Sequence, residues 1–318
     1  MAEQAQWLWF NGEIVPRERA TVHVMTATAT RGANVFEGVR AYWNGDEREL
    51  YIFRNDDHLA RLRESAKIMR MPIQWSPEEL TRAQIDVLRA NKYEGTAWYR
   101  LCLYVGEGEQ TSYPPAEPPI GGYIATRHAP HTKGVTDGVD CGVSSWQRIA
   151  DTSMPPRVKA GANYHNSRLA AMEAKNHGYS GQPIMLNERG KVSEGPGACL
   201  CMVRRGTLVT PPVTSNILES ITRETILELA RDVLKVPVQE REMDRTELYV
   251  ADEAFFCGSG AEITPINSVD HYAVGTGKPG PMTRRLQDAY FAVTEGRVPQ
   301  YRHWLTPVYA GAKVTARS

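Results

Sequence analysis

The sequence predicts an α/β fold, of the mixed α+β kind, in two domains. Three observations lead there. The chain has 318 residues, more than one small core organises. Asn11-Gly12 and Asn44-Gly45 each sit between apolar runs, the strongest short-range hairpin signal. Other stretches repeat their apolar residues every three or four positions, the period of a helix packed on one side. Many hairpins and few strand–helix–strand units argue against a doubly wound nucleotide-binding sheet.

The elements follow in order. "WLWFNGEIV" and "VRAYWNGDERELYIF" read as hairpins turning at their Asn-Gly pairs. "NDDHLARLRESAKIMRM" reads as a helix with Leu59, Leu62, Ala66 and Met69 as its apolar stripe. "SPEEL" opens another, with Ser76 as cap, Pro77 in the first turn and Glu79 completing a capping box. "TAWYRLCLYVG" reads as a strand, and Tyr123–Thr126 as another inside a Pro- and Gly-rich stretch, 106–135. The expected division is a small N-terminal domain, 1–126, an interdomain loop, 127–135, and a larger domain, 136–318. In the latter, "GVDCGVSSWQRI" reads as a strand and "SRLAAMEAKNHG" continues a helix begun after Asn163. Hairpins are expected at "NERGK" and "RRGT", a helix at "SITRETILELARDVL", a strand–loop–strand at "AFFCGSGAEI", and a last helix at "MTRRLQDAYFAVTEG".

Composition narrows the function classes. Apolar residues make up 42% and charged residues 23%, as in an ordinary globular protein. The 37 basic and 37 acidic residues cancel, so nothing calls for nucleic acid or an anionic membrane. "MAEQAQWLWFNG" lacks the basic start and apolar run of a signal peptide. No run approaches the roughly 18 apolar residues of a membrane span. The 5 cysteines are odd in number and without C-x-x-C spacing, which speaks against a disulfide framework or zinc and for a reducing cytoplasm. Cys199 and Cys201 would share a strand face and are read as packing.

Four features of the second half carry chemistry. Lys159 sits in "VKAGANY", among small residues that neither solvate nor pair an ammonium, with Tyr164 close behind. Glu194 follows in "KVSEGPGACL". Leu218 precedes "SITRE", a hydroxyl-rich helix entry, and "CGSGAEI" is a glycine loop carrying Ser259. A lysine kept neutral by poor solvation can form a Schiff base with an aldehyde. A helix N-terminus and a glycine loop both offer N–H groups to a phosphate. A carboxylate can hold a pyridine nitrogen protonated. Aldehyde, phosphate and pyridine together describe pyridoxal phosphate. Taken singly, each feature has an ordinary reading as a turn lysine, a hairpin glutamate or a helix start; their joint order is what points to the cofactor.

In these blocks, together with "NGEIVP", "NVFEGVRAY", "HLARLRESAKI", "TPPVTSNILESITRE" and "LYVADEAFFCGSGAEITPI", the chain resembles the fold-type IV pyridoxal-phosphate-dependent aminotransferases. Within them it is most similar to the branched-chain amino acid aminotransferase group. The resemblance implies a two-domain fold, D-amino acid aminotransferase-like, with the cofactor between the domains and a homodimer or higher homo-oligomer as the functional unit. It implies Lys159 as the catalytic Schiff-base lysine, Glu194 as partner of the pyridine nitrogen and Tyr164 as donor to the ring oxygen. It implies Arg61, Ile221, Thr222 and Ser259 on the phosphate and Leu218 against a ring face. The substrate side would comprise Phe36, Gly38 and Arg40, with Arg100 as the guanidinium that meets the distal carboxylate of glutamate or 2-oxoglutarate.

Some positions depart from that pattern. Arg31 and Trp98 stand where the group usually has tyrosine, and indole cannot supply the same O–H contact. Arg31 would add positive potential or relocate the carboxylate site, unless an acidic neighbour neutralises it. Gly260 replaces a common alanine, and "GPGACLC" lacks a usual charge and amide beside Glu194. The activity the resemblance implies is transfer of an amino group from a branched-chain or other hydrophobic L-amino acid to 2-oxoglutarate through the Schiff base on Lys159. A D-amino acid or (R)-amine aminotransferase is the alternative, then an aminodeoxychorismate lyase. "GTGKPG", Gly275–Gly280, matches a dinucleotide fingerprint in letters only, because a polar segment precedes it and Pro279 interrupts it. His128 and His131 are read as solvated or hydrogen-bonded rather than metal-ligating; no metal is expected.

Overall fold

The computed structural model describes residues 5–108 and 117–310. Residues 109–116, part of the Pro- and Gly-rich stretch, lie outside the described residues, as do both chain ends. The chain divides into two compact units. Of the described residues, unit 1 takes those up to Thr30, then Phe36–Pro130 and those from Ala292; unit 2 takes Arg31–Val35 and His131–Phe291.

The first hairpin joins β1 (Trp7–Phe10) to β2 (Glu13–Pro16), with Asn11 and Gly12 both at positive φ (51° and 104°), the turn whose twist matches the strands. A short helix α1 (Ala27–Arg31) precedes β3 (Asn34–Asn44) and β4 (Glu49–Phe53). This hairpin forms, but not on a tight Asn44-Gly45 turn. Asn44 itself pairs with Glu49, and its carboxamide oxygen accepts the Glu47 N–H at 3.0 Å, so the left-handed residue is Arg48 (φ 50°). In α2 (Asn55–Ile68) the stripe is buried at Leu59, Leu62 and Ala66, while Met69 caps the end half-buried. In α3 (Pro77–Ala90) the capping box is complete, which stabilises a helix start by about 1 kcal/mol.

Strand β5 (Ala97–Val105) pairs along its whole length with β6 (Ile120–His128). The latter outruns the expected Tyr123–Thr126 at both ends, because β5 offers an unbroken partner. Gly121 is required there, since a Cβ would come within 2.3 Å of the Tyr104 ring.

In unit 2 come α4 (Lys133–Asp137), β7 (Val139–Cys141), α5 (Asn163–Asn176), β8 (Cys199–Arg204), β9 (Thr207–Thr210), α6 (Ile221–Asp232), β10 (Val238–Glu240), α7 (Arg245–Leu248), β11 (Glu253–Gly258), β12 (Glu262–Val269), β13 (Tyr272–Ala273) and the start of α8 (Pro281–Thr294). The strand expected over "GVDCGVSSWQRI" is short; past Cys141 only a single bridge, Val143 to Ile184, continues it. The "RRGT" turn is a true hairpin with Arg205 and Gly206 at positive φ. At "NERGK" the Asn187 side chain accepts the N–H groups of Arg189 and Lys191, and pairing stops at the bridge Leu186 to Val192. "GTGKPG" is a turn into α8, whose first N–H groups (Met282, Thr283) are held by the buried Glu253 carboxylate.

The unit 1 sheet runs β14-β4-β3-β5-β6-β1-β2, closed at one edge by β14 (Leu305–Pro307). Glu49 secures that return by accepting N–H groups of Val308, Tyr309 and Ala310. The unit 2 sheet runs β10-β9-β8-β11-β12-β13, with β7 on β12. Leu200, Met202, Phe256 and Ile266 anchor its core; each buried side chain of this size is worth about 1.5–3 kcal/mol. All 5 cysteines are free and buried. Among the described residues, no helix is long and apolar enough to cross a membrane.

Candidate active site

Lys159 lies on the loop leading into α5. Its small neighbours have a packing reason: Ala160 bridges to Val35, and the Gly161 N–H donates to the Asn34 carbonyl at 3.2 Å. A Cβ at Gly161 would sit 2.5 Å from the Asn34 side chain, so the loop can approach that segment only as glycine. Tyr164, in the first turn of α5, accepts a hydrogen bond from Lys159 Nζ at 2.9 Å. The ammonium's reach is thereby set by a hydroxyl.

Glu194 is buried at 4% exposure. Its Oε1 accepts from Arg148 through Nε and Nη2, both at 2.9 Å. Its Oε2 accepts the Leu218 N–H at 3.2 Å and the Cys199 thiol at 3.5 Å. Burial, then the neighbouring Glu194 charge, pushes the Cys199 thiol well up, so at neutral pH it remains a protonated donor. Arg148 Nη1 is buried with no hydrogen-bond partner. The link Arg157 to Glu219, at 2.7 Å, ties the lysine loop to the segment before α6. That helix starts with Ser220 accepting the Arg223 N–H, and Ile221 and Thr222, both buried, occupy its first turn. Arg223 anchors the start on Thr210, the Pro211 carbonyl and Glu240. Ser259 and Gly260 occupy the β11–β12 turn, and a Cβ at Gly260 would meet nothing within 4 Å. His131 pairs with Glu262 at 2.9 Å.

Unit 1 carries the other predicted residues. Arg61 grips Glu37 bidentately, Nε to Oε1 at 2.8 Å and Nη2 to Oε2 at 2.6 Å, and His58 adds a contact at 2.7 Å. Burial alone would raise the Glu37 carboxyl; the Arg61 charge and these hydrogen bonds outweigh it and hold it at about 2. Phe36, Gly38 and Arg40 alternate with Glu37 along β3 and so point to the opposite face. There Arg100 stacks over Phe36 at 4.3 Å, and the Trp98 ring lies where a Gly38 Cβ would be, 3.0 Å away. Arg40 Nη1 donates to the Ala129 carbonyl at 2.7 Å. Arg31 is the exposed last residue of α1.

The structure thus brings Lys159 to Tyr164 and Glu194 to Leu218, on one unit with Ile221, Thr222, Ser259 and Gly260. Sequence reasoning missed Arg148, Cys199 and Glu37. Alternation along β3 could have placed Glu37 opposite Arg40, whereas Arg148 lies far from Glu194 in sequence and gave no signal. Unit 2 meets the separate demands of pyridoxal phosphate: a primary amine, a buried carboxylate for the ring nitrogen, a helix N-terminus with free N–H groups, and open space at Gly260.

The family model of amino-transferase class IV matches residues 34–269. The chain is 41% identical over 315 residues to the branched-chain-amino-acid aminotransferase of Salmonella typhimurium, covering 96% of this chain and 98% of that one. The enzyme of the same name from Escherichia coli (strain K12) is 40% identical over 315 residues, with the same coverage. The crystal structure of branched-chain amino acid aminotransferase from Thermobaculum terrenum in its PLP form superposes with a TM-score of 0.91 at 46% identity, covering 96% of this chain and 99% of that one.

Proposed function

The chain belongs to the amino-transferase class IV family, and on that premise we propose that it is a pyridoxal-phosphate-dependent aminotransferase moving the amino group of a branched-chain or other hydrophobic L-amino acid to 2-oxoglutarate. The observation that carries the reading is the Lys159–Tyr164 contact at 2.9 Å on the unit that also buries Glu194.

Lys159, Tyr164, Glu194, Leu218, Ile221, Thr222 and Ser259 would hold the cofactor, with Arg61 as the phosphate's cationic contact by its place in the family pattern. When bound, pyridoxal phosphate supplies an electrophilic carbon and a protonated ring that accepts electron density. Lys159 is the amine that links to it and the base that carries a proton on Nζ to and from the substrate α-carbon. The Tyr164 hydroxyl holds Nζ in place between those tasks. Glu194, fixed by Arg148 and the Leu218 N–H, presents a negative charge that does not reorient. Arg100 receives the distal carboxylate of the dicarboxylic acceptor. Assembly into a homodimer or higher homo-oligomer belongs to the same reading, by resemblance.

The test is product formation by the purified protein supplied with pyridoxal phosphate. L-Leucine with 2-oxoglutarate should yield glutamate faster than D-alanine or (R)-1-phenylethylamine does. A preference for either of the latter would favour the rival specificity suggested by Arg31 and Trp98. Pyruvate released from aminodeoxychorismate, without transamination, would overturn the proposal.

A further inference from the structure

Pairing sets Trp98 opposite Arg127 and Arg100 opposite Ala125. Opposed residues, and residues two apart on a strand, share a face, so Trp98, Arg100 and Arg127 stand together on the sheet of unit 1. The Arg127 guanidinium lies over the Trp98 ring at 4.8 Å, and that ring rests on Gly38 with no room for a Cβ. The indole is therefore a fixed flat support between glycine and guanidinium. Arg40 stands nearby: partial burial, and then the Arg40 charge, disfavour the charged form of Arg127. Among the described residues, no carboxylate lies within ion-pair distance of Arg100 or Arg127. Holding Arg127 beside the Arg40 charge without a counter-charge is unfavourable, and an anionic ligand removes the penalty.

We infer that Arg127 is a specificity-determining residue that grips the distal carboxylate of a dicarboxylic 2-oxo acid alongside Arg100, with Trp98 as the platform that aims it. The inference rests on the aminotransferase reading and deepens it. It also explains the indole at position 98: the hydroxyl lost there is replaced by a guanidinium one strand away.

The experiment compares two acceptors, 2-oxoglutarate and 4-methyl-2-oxopentanoate, with L-valine as donor and the holoenzyme throughout. Arg127→Ala should raise the KM for 2-oxoglutarate relative to that for 4-methyl-2-oxopentanoate by about tenfold, the worth of one partly exposed charge-assisted contact. Competitive inhibition by glutarate should weaken in parallel, and inhibition by hexanoate should not. Arg127→Lys should recover part of the discrimination, and Trp98→Leu should lose it without adding to Arg127→Ala in the double variant. An unchanged ratio of the KM values in Arg127→Ala, or a KM rise shared equally by both acceptors, would overturn the inference alone. A wild-type protein that aminates neither acceptor would overturn the aminotransferase reading and this inference with it.

Discussion

On one face of the unit 1 sheet Glu37 is completely buried, yet Arg61 and His58 close around it. On the other face, to which Phe36, Gly38 and Arg40 of the same strand point, Arg100 of β5 and Arg127 of β6 have no acidic partner among the described residues. The first arrangement pairs its buried carboxylate inside the protein and contributes to folding. The second leaves positive charge to be satisfied from outside, which suits a site that binds an anion. The difference follows from the two-residue period of a strand, which gives its two faces different company: a paired carboxylate on one and guanidinium groups without carboxylates on the other.

The comparison is broken most severely at Glu37. Glu37→Gln should lower stability by about 3–5 kcal/mol in urea denaturation, because it strands a buried guanidinium. Arg100→Gln on the other face should cost no more than about 1 kcal/mol, since it gives up only the Phe36 stack and the Tyr123 hydroxyl and leaves no buried charge unpaired. Equal losses would erase the distinction.

Acid titration sharpens the same contrast. The Glu37 carboxyl is depressed from 4.5 to about 2, so the unfolded chain binds its proton first as pH falls. Its stabilisation is therefore complete above about pH 4.5 and is lost progressively toward pH 2. Glu37→Gln should show a shallower acid limb in that window, measured as urea midpoint against pH, whereas Arg100→Gln should keep the wild-type slope.

Glu194 stands between the two cases: paired with Arg148, yet beside a guanidinium nitrogen with no partner. Arg148→Met should weaken pyridoxal phosphate binding by about tenfold, read as quenching of tryptophan fluorescence, because the carboxylate loses the group that fixes it. Arg148→Lys should restore part of that affinity. The smallest effect belongs to Cys199→Ala, whose thiol contact at 3.5 Å is long; a change in cofactor affinity of about twofold is expected.

Local chemistry was legible and distant pairing was not. The Asn11-Gly12 turn, the Ser76–Glu79 capping box and the α6 entry each depend on a few adjacent residues, so pattern reading found them. The strand β6 was read short because its length is decided by β5, and the four-residue β3–β4 loop because Asn44 spends its side chain on Glu47. The return of β14 to β4 depends on Glu49 collecting N–H groups from residues beyond 300, a contact with no local trace. At the site, Lys159 and Glu194 stood out through family pattern and unusual surroundings. Arg127 did not, because its meaning comes from register: only the pairing with Trp98 shows which face it shares. The small residues around Lys159 read in the sequence as poor company for an ammonium; in the structure Asn34 and Val35 also pack against them.

The central claim is that Lys159 carries pyridoxal phosphate and exchanges amino groups through it. The direct measurement is the visible absorbance of the protein loaded with pyridoxal phosphate, recorded before and after L-leucine, beside Lys159→Ala. A visible cofactor band that bleaches with L-leucine, returns with 2-oxoglutarate and is absent from Lys159→Ala is the predicted result. A wild-type protein without that band, or a Lys159→Ala protein that keeps it and bleaches in the same way, would contradict the account.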